Sequence, residues 1–225
     1  DGCGEFSPIP GVGLSLRKIT KEASLKIAES AFEIAKSRSI NQTKKSKVHV
    51  VHKANVMKIT DGIFLDACRN ISSKYNDIDC EEMLVDACAA HLVRKPEQFD
   101  VILTTNMFGD ILSDLATELS GSLGLAGSLN AGNKYAMAQA QHGAAPDIAE
   151  KNIANPISLI LSSAMLLDWL GKKRRSEKLI LASNLINKSV LELLNYKENF
   201  TNDLGGKAST NKTTENLTKI LTNLI

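Results

Sequence analysis

The chain reads as an α/β protein. Short β-branched and apolar runs, residues 48–51 and 100–104 among them, alternate with longer stretches whose apolar residues recur at three- and four-residue spacing. Glycine, proline and polar clusters separate the two kinds of segment. With 225 residues, 43% of them hydrophobic, there is material for a sizeable core in one large or two small domains.

Each element follows from its local pattern. Residues 2–13 contain Gly2, Gly4, Pro8, Pro10, Gly11 and Gly13 and read as a loop. Thr20 is placed to cap a helix running to about Ser37, with Ala23, Ile27, Ala31, Phe32 and Ala35 on one stripe. The polar stretch 37–47 is a loop and 47–51 a strand. A helix over 61–75 turns Phe64, Cys68 and Ile71 inward. Residues 81–85 form a short strand and 86–95 a helix stopped by Pro96. After the strand at 100–104, Gly109 marks a break from which a helix carries Asp110 to about Ser120. Gly121, Gly124 and Gly127 fall three apart, unlike Gly-x-Gly-x-x-Gly, so 121–132 reads as a flexible connection and not a dinucleotide fingerprint. A strand near Met137 leads into a loop over 142–155. Asn155 as N-cap, Pro156 at the first helical position and Gly171 at the C-terminus frame the next helix. Helices over 177–196 and 213–224 complete the chain.

Composition narrows the function. A net charge of +2 gives no basic stripe, and the run Lys172-Lys-Arg-Arg175 suits a helix C-terminus, so nucleic-acid binding is not expected. No apolar run reaches spanning length and no signal peptide is visible, so no membrane partner is expected. Cys3, Cys68, Cys80 and Cys88 show no metal or redox spacing and read as mostly buried apolar residues in a reducing, intracellular setting. His49 and His52 flank a strand without helical zinc spacing and read as structural or surface residues.

The chemistry concentrates in three aspartates. In Asn-Met-Phe-Gly-Asp-Ile-Leu-Ser-Asp over 106–114, Asp110 and Asp114 stand four apart, which on a helix puts both carboxylates on one face. Like charges at that spacing repel, and a hard divalent cation such as Mg²⁺ or Mn²⁺ relieves them. A solvated acidic helix start explains the pair equally well by itself. Asp86 lies in Leu-Val-Asp-Ala-Cys, Lys53 in Val-His-Lys-Ala-Asn-Val-Met-Lys after a β-rich run, and His142 opens His-Gly-Ala-Ala-Pro-Asp-Ile-Ala-Glu-Lys-Asn-Ile-Ala-Asn-Pro.

These motifs, in this order, resemble the β-decarboxylating dehydrogenases, the isocitrate and isopropylmalate dehydrogenase family, from Gly4-Glu-Phe to Asp203-Leu-Gly-Gly-Lys-Ala-Ser-Thr210. Thr105-Asn-Met-Phe-Gly-Asp, Gly-Ser-Leu-Gly-Leu-Ala-Gly-Ser-Leu-Asn130 and Ala138-Gln-Ala-Gln-His142 look like the tartrate and isocitrate dehydrogenase branch. The resemblance implies an isopropylmalate dehydrogenase-like two-domain fold with the N-terminal part of the large domain missing. Residues 1–120 would be a small central domain with the dimer interface and metal site. Residues 121–225 would be the C-terminal part of the large, cofactor-binding domain. Relatives are longer at the N-terminus, so this chain is expected to be a fragment, a truncated product or a processed form.

The implied activity is NAD-dependent oxidative decarboxylation of a 3-carboxy-2-hydroxyacid, of isocitrate or isopropylmalate type. By resemblance, Asp86, Asp110 and Asp114 are the ligands of Mg²⁺ or Mn²⁺, and Lys53 and Asp86 are catalytic, Lys53 handling the proton. In relatives Lys53 and Asp86 enter from the neighbouring subunit, which implies a homodimer with shared sites. Asn55 would lie near the nicotinamide. His142, Gly143, Ala144, Ala145, Asp147, Ile148 and Asn155 would form the adenosine loop, with Asp147 selecting NAD, since a carboxylate accepts ribose hydroxyls and repels the extra phosphate of NADP. Glu150 replaces a glycine common in relatives and would strain the loop if the position needs a positive φ. The implied location is cytoplasmic, or the mitochondrial matrix in a eukaryote. The alternative is a non-catalytic subunit or remnant that pairs with a full-length homologue.

Overall fold

The computed structural model describes residues 2–39 and 46–225. The chain divides into two compact units, Asp1–Ala116 and Thr117–Ile225. Among the described residues no helix is long and apolar enough to cross a membrane.

The first unit opens with an antiparallel hairpin of β1 (Gly2–Ile9) and β2 (Val12–Lys18), paired from Gly2 opposite Lys18 to Ile9 opposite Val12. This corrects the loop expected over 2–13. The breakers act only at the tip, where Pro10 and Gly11 reverse the chain and Gly11 takes φ +83°. Along β2, Val12, Leu14 and Leu16 alternate with Gly13, Ser15 and Arg17, a period of two that the glycines obscured.

Helix α1 (Lys21–Ser39) starts where expected, with Thr20 Oγ1 accepting the Ala23 N–H at 3.3 Å. Its inner face is Ser24, Ala28, Ala31, Phe32 and Ala35, while Ala23 and Ile27 are exposed, so the stripe is rotated from the expected one. The loop expected over 37–47 is helical through Ser39, and its residues 40–45 lie outside the described residues.

A three-stranded parallel sheet follows, formed by β3 (Lys47–His52), β4 (Asp79–Leu84) and β5 (Val101–Thr104) in the order β4-β3-β5. The crossover from β3 to β4 is α2 (Thr60–Ser72), and that from β4 to β5 contains α3 (Val85–Arg94). Helix α4 (Asn106–Leu119) leaves β5. The second crossover must pass β3 to reach its other edge, and the helices cover both faces of the sheet.

One core joins Val48, Val50, Val101 and Leu103 to Phe32 of α1 and Phe64, Cys68 and Ile71 of α2. The other joins Val51 to Cys88 and Leu92 of α3 and Leu112 of α4. Both faces of β3 are buried, by Val48 and Val50 on one side and His49 and Val51 on the other. Phe32 and Phe64, almost fully enclosed, contribute about 1.5–3 kcal/mol each. His49 and His52 are buried, which removes the surface half of their expectation. Cys68 and Cys88 are buried free thiols, pushed up to about 12 and about 11 by desolvation, and Cys80 is exposed.

The second unit holds an antiparallel hairpin, β6 (Gly127–Ala131) and β7 (Ala136–Ala140), and helices α5 (Ile157–Arg174), α6 (Glu177–Leu193) and α7 (Thr210–Leu224). The expected flexible connection is therefore partly strand. Serines fasten α5 to the hairpin: Ser158 donates to the Ala126 carbonyl at 2.5 Å, and Ser162 donates to the Gln139 carbonyl at 2.6 Å. Gly171 lies inside α5 instead of ending it. A Cβ there would stand 2.8 Å from the Ile180 side chain, so the glycine lets α5 and α6 approach. The helix stops at Arg175, which adopts φ +51°. Ile157, Val190, Leu193 and Leu217 form this unit's core.

Candidate active site

In the first unit the candidate residues gather at the carboxyl ends of the three parallel strands, where open α/β sheets place their ligands. Lys53 follows the last residue of β3, Asp86 is the second residue of α3 just past β4, and α4 carries Asp110 and Asp114 beyond β5. The helix begins at Asn106 and not at Gly109, so its first turn has no acidic residue. Asp110 therefore stands a full turn in, too deep to serve as a helix-start carboxylate, and the four-residue spacing sets it beside Asp114 on one face.

Lys53 and Asp86 meet directly. Lys53 Nζ donates to Asp86 Oδ1 at 2.5 Å, and this bond holds the Asp86 carboxyl below the usual aspartate range. Beneath them the wholly buried Asp61 accepts the Lys53 backbone N–H through Oδ2 at 2.6 Å. Asp86, Asp110 and Asp114 are exposed, as is Asn55 in the turn after Lys53. Among the described residues no three His, Cys, Asp or Glu side chains stand close enough together to hold a metal ion. The structure thus brings Lys53 to Asp86 and, separately, pairs Asp110 with Asp114, without closing the three aspartates into one ligand set within the chain.

The second unit contains a cavity of about 1010 Å³. His142, Gly143, Ala144, Ala145, Ile148 and Asn155 all line it. Asp147 is on the same loop and exposed, but it is not part of the lining. The loop is held in an uncommon backbone shape: Ala145, Glu150 and Asn152 have φ of +44°, +63° and +54°. Glu150 thus occupies the left-handed conformation that favours glycine. Fastenings to the start of α7 hold the loop there. Thr210 N–H donates to the Asn152 carbonyl at 2.9 Å, Asn211 N–H to Asn152 Oδ1 at 3.1 Å, and Thr210 Oγ1 to the Ala154 carbonyl at 2.6 Å.

Asn155 does two things at once. Its Oδ1 accepts the Ile157 N–H at 3.0 Å, capping α5, and its Nδ2 donates to Asp203 Oδ2 at 2.9 Å. Asp203 also accepts from Ser122 Oγ and Thr201 Oγ1, each at 2.5 Å. Burial by itself would raise the Asp203 carboxyl, but these hydrogen bonds outweigh it and hold the group below the usual range. Gly124 makes this cluster possible, because a Cβ there would stand 2.6 Å from Asp203 Oδ2 and 2.8 Å from Asn155. Sequence reasoning assigned no role to Asp203, Ser122 or Gly124. The motif Asp203-Leu-Gly-Gly was visible, but nothing in it says that its carboxylate meets Asn155.

Known proteins resemble this chain over nearly all of its length. The family model described as isocitrate/isopropylmalate dehydrogenase matches residues 7–221. An isocitrate/homoisocitrate dehydrogenase of Thermus thermophilus is 44% identical over 206 residues, covering 92% of this chain and 58% of that protein. A mitochondrial NAD isocitrate dehydrogenase regulatory subunit of Dictyostelium discoideum is 43% identical over 225 residues, covering 97% and 60%. The crystal structure of isocitrate dehydrogenase from Methylococcus capsulatus superposes with a TM-score of 0.85 at 36% identity, covering 97% of this chain and 62% of that one. The chain therefore spans about three fifths of the length of these relatives, and its α/β architecture is part of their fold. Family match, identity and structural likeness agree: the chain belongs to the isocitrate/isopropylmalate dehydrogenase family of oxidoreductases.

Proposed function

We propose that the protein containing this chain carries out NAD-dependent oxidative decarboxylation of a 3-carboxy-2-hydroxyacid of the isocitrate or isopropylmalate type, with Mg²⁺ or Mn²⁺. The observation that carries this is the 2.5 Å contact of Lys53 with Asp86 at the ends of the parallel strands that also lead to Asp110 and Asp114.

The residues fit the groups the reaction needs. Asp110 and Asp114 present two all-oxygen anionic ligands one helical turn apart, a hard donor set suited to Mg²⁺ or Mn²⁺, and Asp86 would be the third from a second copy. The cavity beside His142 and Asn155 is large enough for the adenosine half of a dinucleotide and is walled by small residues that let a flat base approach. A nicotinamide held there would supply the hydride acceptor, and a divalent metal a Lewis acid for the hydroxyl and ketone oxygens. In this assignment Lys53 Nζ takes the proton from the substrate hydroxyl. The C–CO₂ bond then breaks, its electron pair stays on the substrate carbon, and a proton returns to that carbon. The ammonium that Lys53 becomes on taking the hydroxyl proton is held by Asp86 Oδ1.

In this reading the protein works as a homodimer with shared sites. The support is surface chemistry: Phe6, Ile9, Val12, Leu14 and Leu16 of the first hairpin are exposed, and an isolated two-stranded hairpin is marginal in water without a partner surface. A second reading, a binding subunit without activity, is favoured by the name of the Dictyostelium relative. The retained Lys53, Asp86, Asp110 and Asp114 favour the catalytic one.

The test uses the full-length protein. With NAD, Mn²⁺ and each candidate hydroxyacid, NADH and CO₂ are expected in equal amounts. Lys53→Met should lower kcat by about 10²–10⁴-fold. Mixing inactive Lys53→Met with inactive Asp110→Asn should restore part of the activity once subunits exchange, because hybrid dimers contain one site with both native residues. An unsubstituted protein that turns over none of the acids would leave the binding-subunit reading. No recovery after verified exchange would mean that each site is built within one chain.

A further inference from the structure

We propose that Asp203 is a positioning residue: it fixes the order of donor and acceptor that the Asn155 amide offers to the cavity, and so makes the cavity select adenine over a 6-oxopurine such as hypoxanthine. The proposal rests on the cofactor reading above. Asn155, Asp203, Ser122 and Gly124 all line the cavity. An asparagine amide can turn end for end, and the turn exchanges a donor for an acceptor. Here both ends are tied. Oδ1 accepts the Ile157 N–H at 3.0 Å, and Nδ2 donates to Asp203 Oδ2 at 2.9 Å. A turned amide would set its oxygen against a carboxylate and its amino group against an N–H, two repulsions at once.

Asp203 is itself held as an acceptor. Ser122 Oγ accepts the Gly124 N–H at 3.0 Å and donates its own proton to Asp203 Oδ2 at 2.5 Å. Thr201 Oγ1 donates to Oδ1 at 2.5 Å. Burial favours the neutral acid, yet these donors keep the carboxyl below the usual aspartate range. An ionised carboxylate only accepts, which sets the direction of every bond in the cluster.

A primary amide has two N–H groups and two carbonyl lone pairs. With one of each engaged, Asn155 keeps one N–H and one lone pair for a ligand, in an order that cannot be exchanged. Asparagine pairs with adenine through this complement, donating to a ring nitrogen and accepting from the 6-amino group. Hypoxanthine carries a carbonyl where adenine carries that amino group, so the fixed amide oxygen would meet another oxygen. An amide able to turn would serve both bases. The simpler alternative is that Asp203 only braces the loop. A brace changes the melting temperature and weakens both dinucleotides alike, but it leaves the ratio of their affinities unmoved.

The experiment measures Kd by calorimetry for NAD and for nicotinamide hypoxanthine dinucleotide, with melting temperatures, on the full-length protein. The native protein is expected to bind NAD about tenfold or more tighter than the hypoxanthine dinucleotide. Asp203→Ala should bring the two Kd values within about threefold of each other. Asn155→Ser keeps a side-chain oxygen for the Ile157 N–H and should do the same. The double variant should show no further loss of preference, because both changes remove one fixed amide. Asp203→Asn offers Nδ2 a carbonyl again, and Thr201→Val leaves the Asn155 bond in place, so each should keep the preference within about twofold of native. A native protein that binds both dinucleotides within about twofold overturns the proposal without any variant. So does an Asp203→Ala protein that melts lower yet keeps the native ratio, which leaves Asp203 as a brace. A native protein that binds neither dinucleotide removes the cofactor reading and the proposal with it; a native preference that survives Asp203→Ala removes the proposal alone.

Discussion

The two units solve the same problem, holding a site in shape, with opposite means. In the first unit charged side chains do it: Arg17 with Asp61, and Lys53 with Asp86. In the second, backbone and hydroxyl groups do it. Three non-glycine residues at positive φ shape the loop, Ser122, Thr201 and Asn155 anchor one carboxylate, and the start of α7 ties the loop down. Charge pairs suit a site whose chemistry moves protons and binds cations. A loop stiffened by its backbone and by neutral donors around one carboxylate relies on shape more than on charge. Rigidity alone therefore says little about function; the groups that create it say more.

The largest expected effect inverts the second unit's character. Asp147→Lys puts a cation on a loop otherwise shaped by its backbone. It should shift the ratio of specificity constants from NAD toward NADP by about tenfold or more, equal to about 1.4 kcal/mol or more. Steady-state kinetics with both cofactors measures it. An unmoved ratio would mean that the loop selects by shape, and would set it still further apart from the charged unit.

A smaller effect probes the strain. Glu150→Gly relieves a left-handed residue at φ +63° and should raise stability by about 1 kcal/mol, with tighter NAD binding. Thermal melting with and without NAD reads both. No gain in either would show that the fastenings from α7 already offset the strain.

The smallest effect lies in the first unit. Burial, with the Lys47 charge next in importance, lowers the His49 pKa, and burial likewise lowers that of His52. The folded chain therefore binds fewer protons than the unfolded one below the ordinary histidine value of 6.5. The stabilisation is fully present above that pH and is lost as pH falls through the lowered values. Replacing the buried ring that packs 4.7 Å from Phe99, as His49→Phe, should flatten the fall in stability between about pH 7 and 5 without abolishing it, because His52 still titrates. Urea melts across that range check it; an unchanged slope would mean that the buried histidines do not control the first unit's acid sensitivity.

What was legible in the sequence was whatever repeats or stands close along the chain. The double-sided apolar run of β3, the inner face of α2 and the i, i+4 aspartate pair all follow from local periodicity. The first hairpin was not legible, because Gly4, Pro8 and Gly13 read as loop while the pairing of β1 with β2 makes them strand. Gly171 looked like a helix end because its actual cause, contact with Ile180, lies in the next helix. Lys53 and the loop at 142–155 were found through motif order. Their supports were not: Arg17 and Asp61 stand 44 residues apart, and Ser122 and Asp203 stand 81 apart. No local pattern encodes such a meeting, and each partner alone looks like an ordinary surface residue.

The Arg17–Asp61 pair also has a consequence for the order in which the molecule forms. Arg17 reaches Asp61 across 44 residues and Thr105 across 88. Contacts of such sequence separation are made late, after the ends of long chain segments have been brought together against their entropy. During synthesis α1, α2 and β3 can pack as soon as they emerge, yet the Arg17 guanidinium has only Asp61 to hold until Thr105 arrives with β5. The Lys53 turn is thus anchored before the aspartate helix exists, and the two are joined last by a side chain made before either.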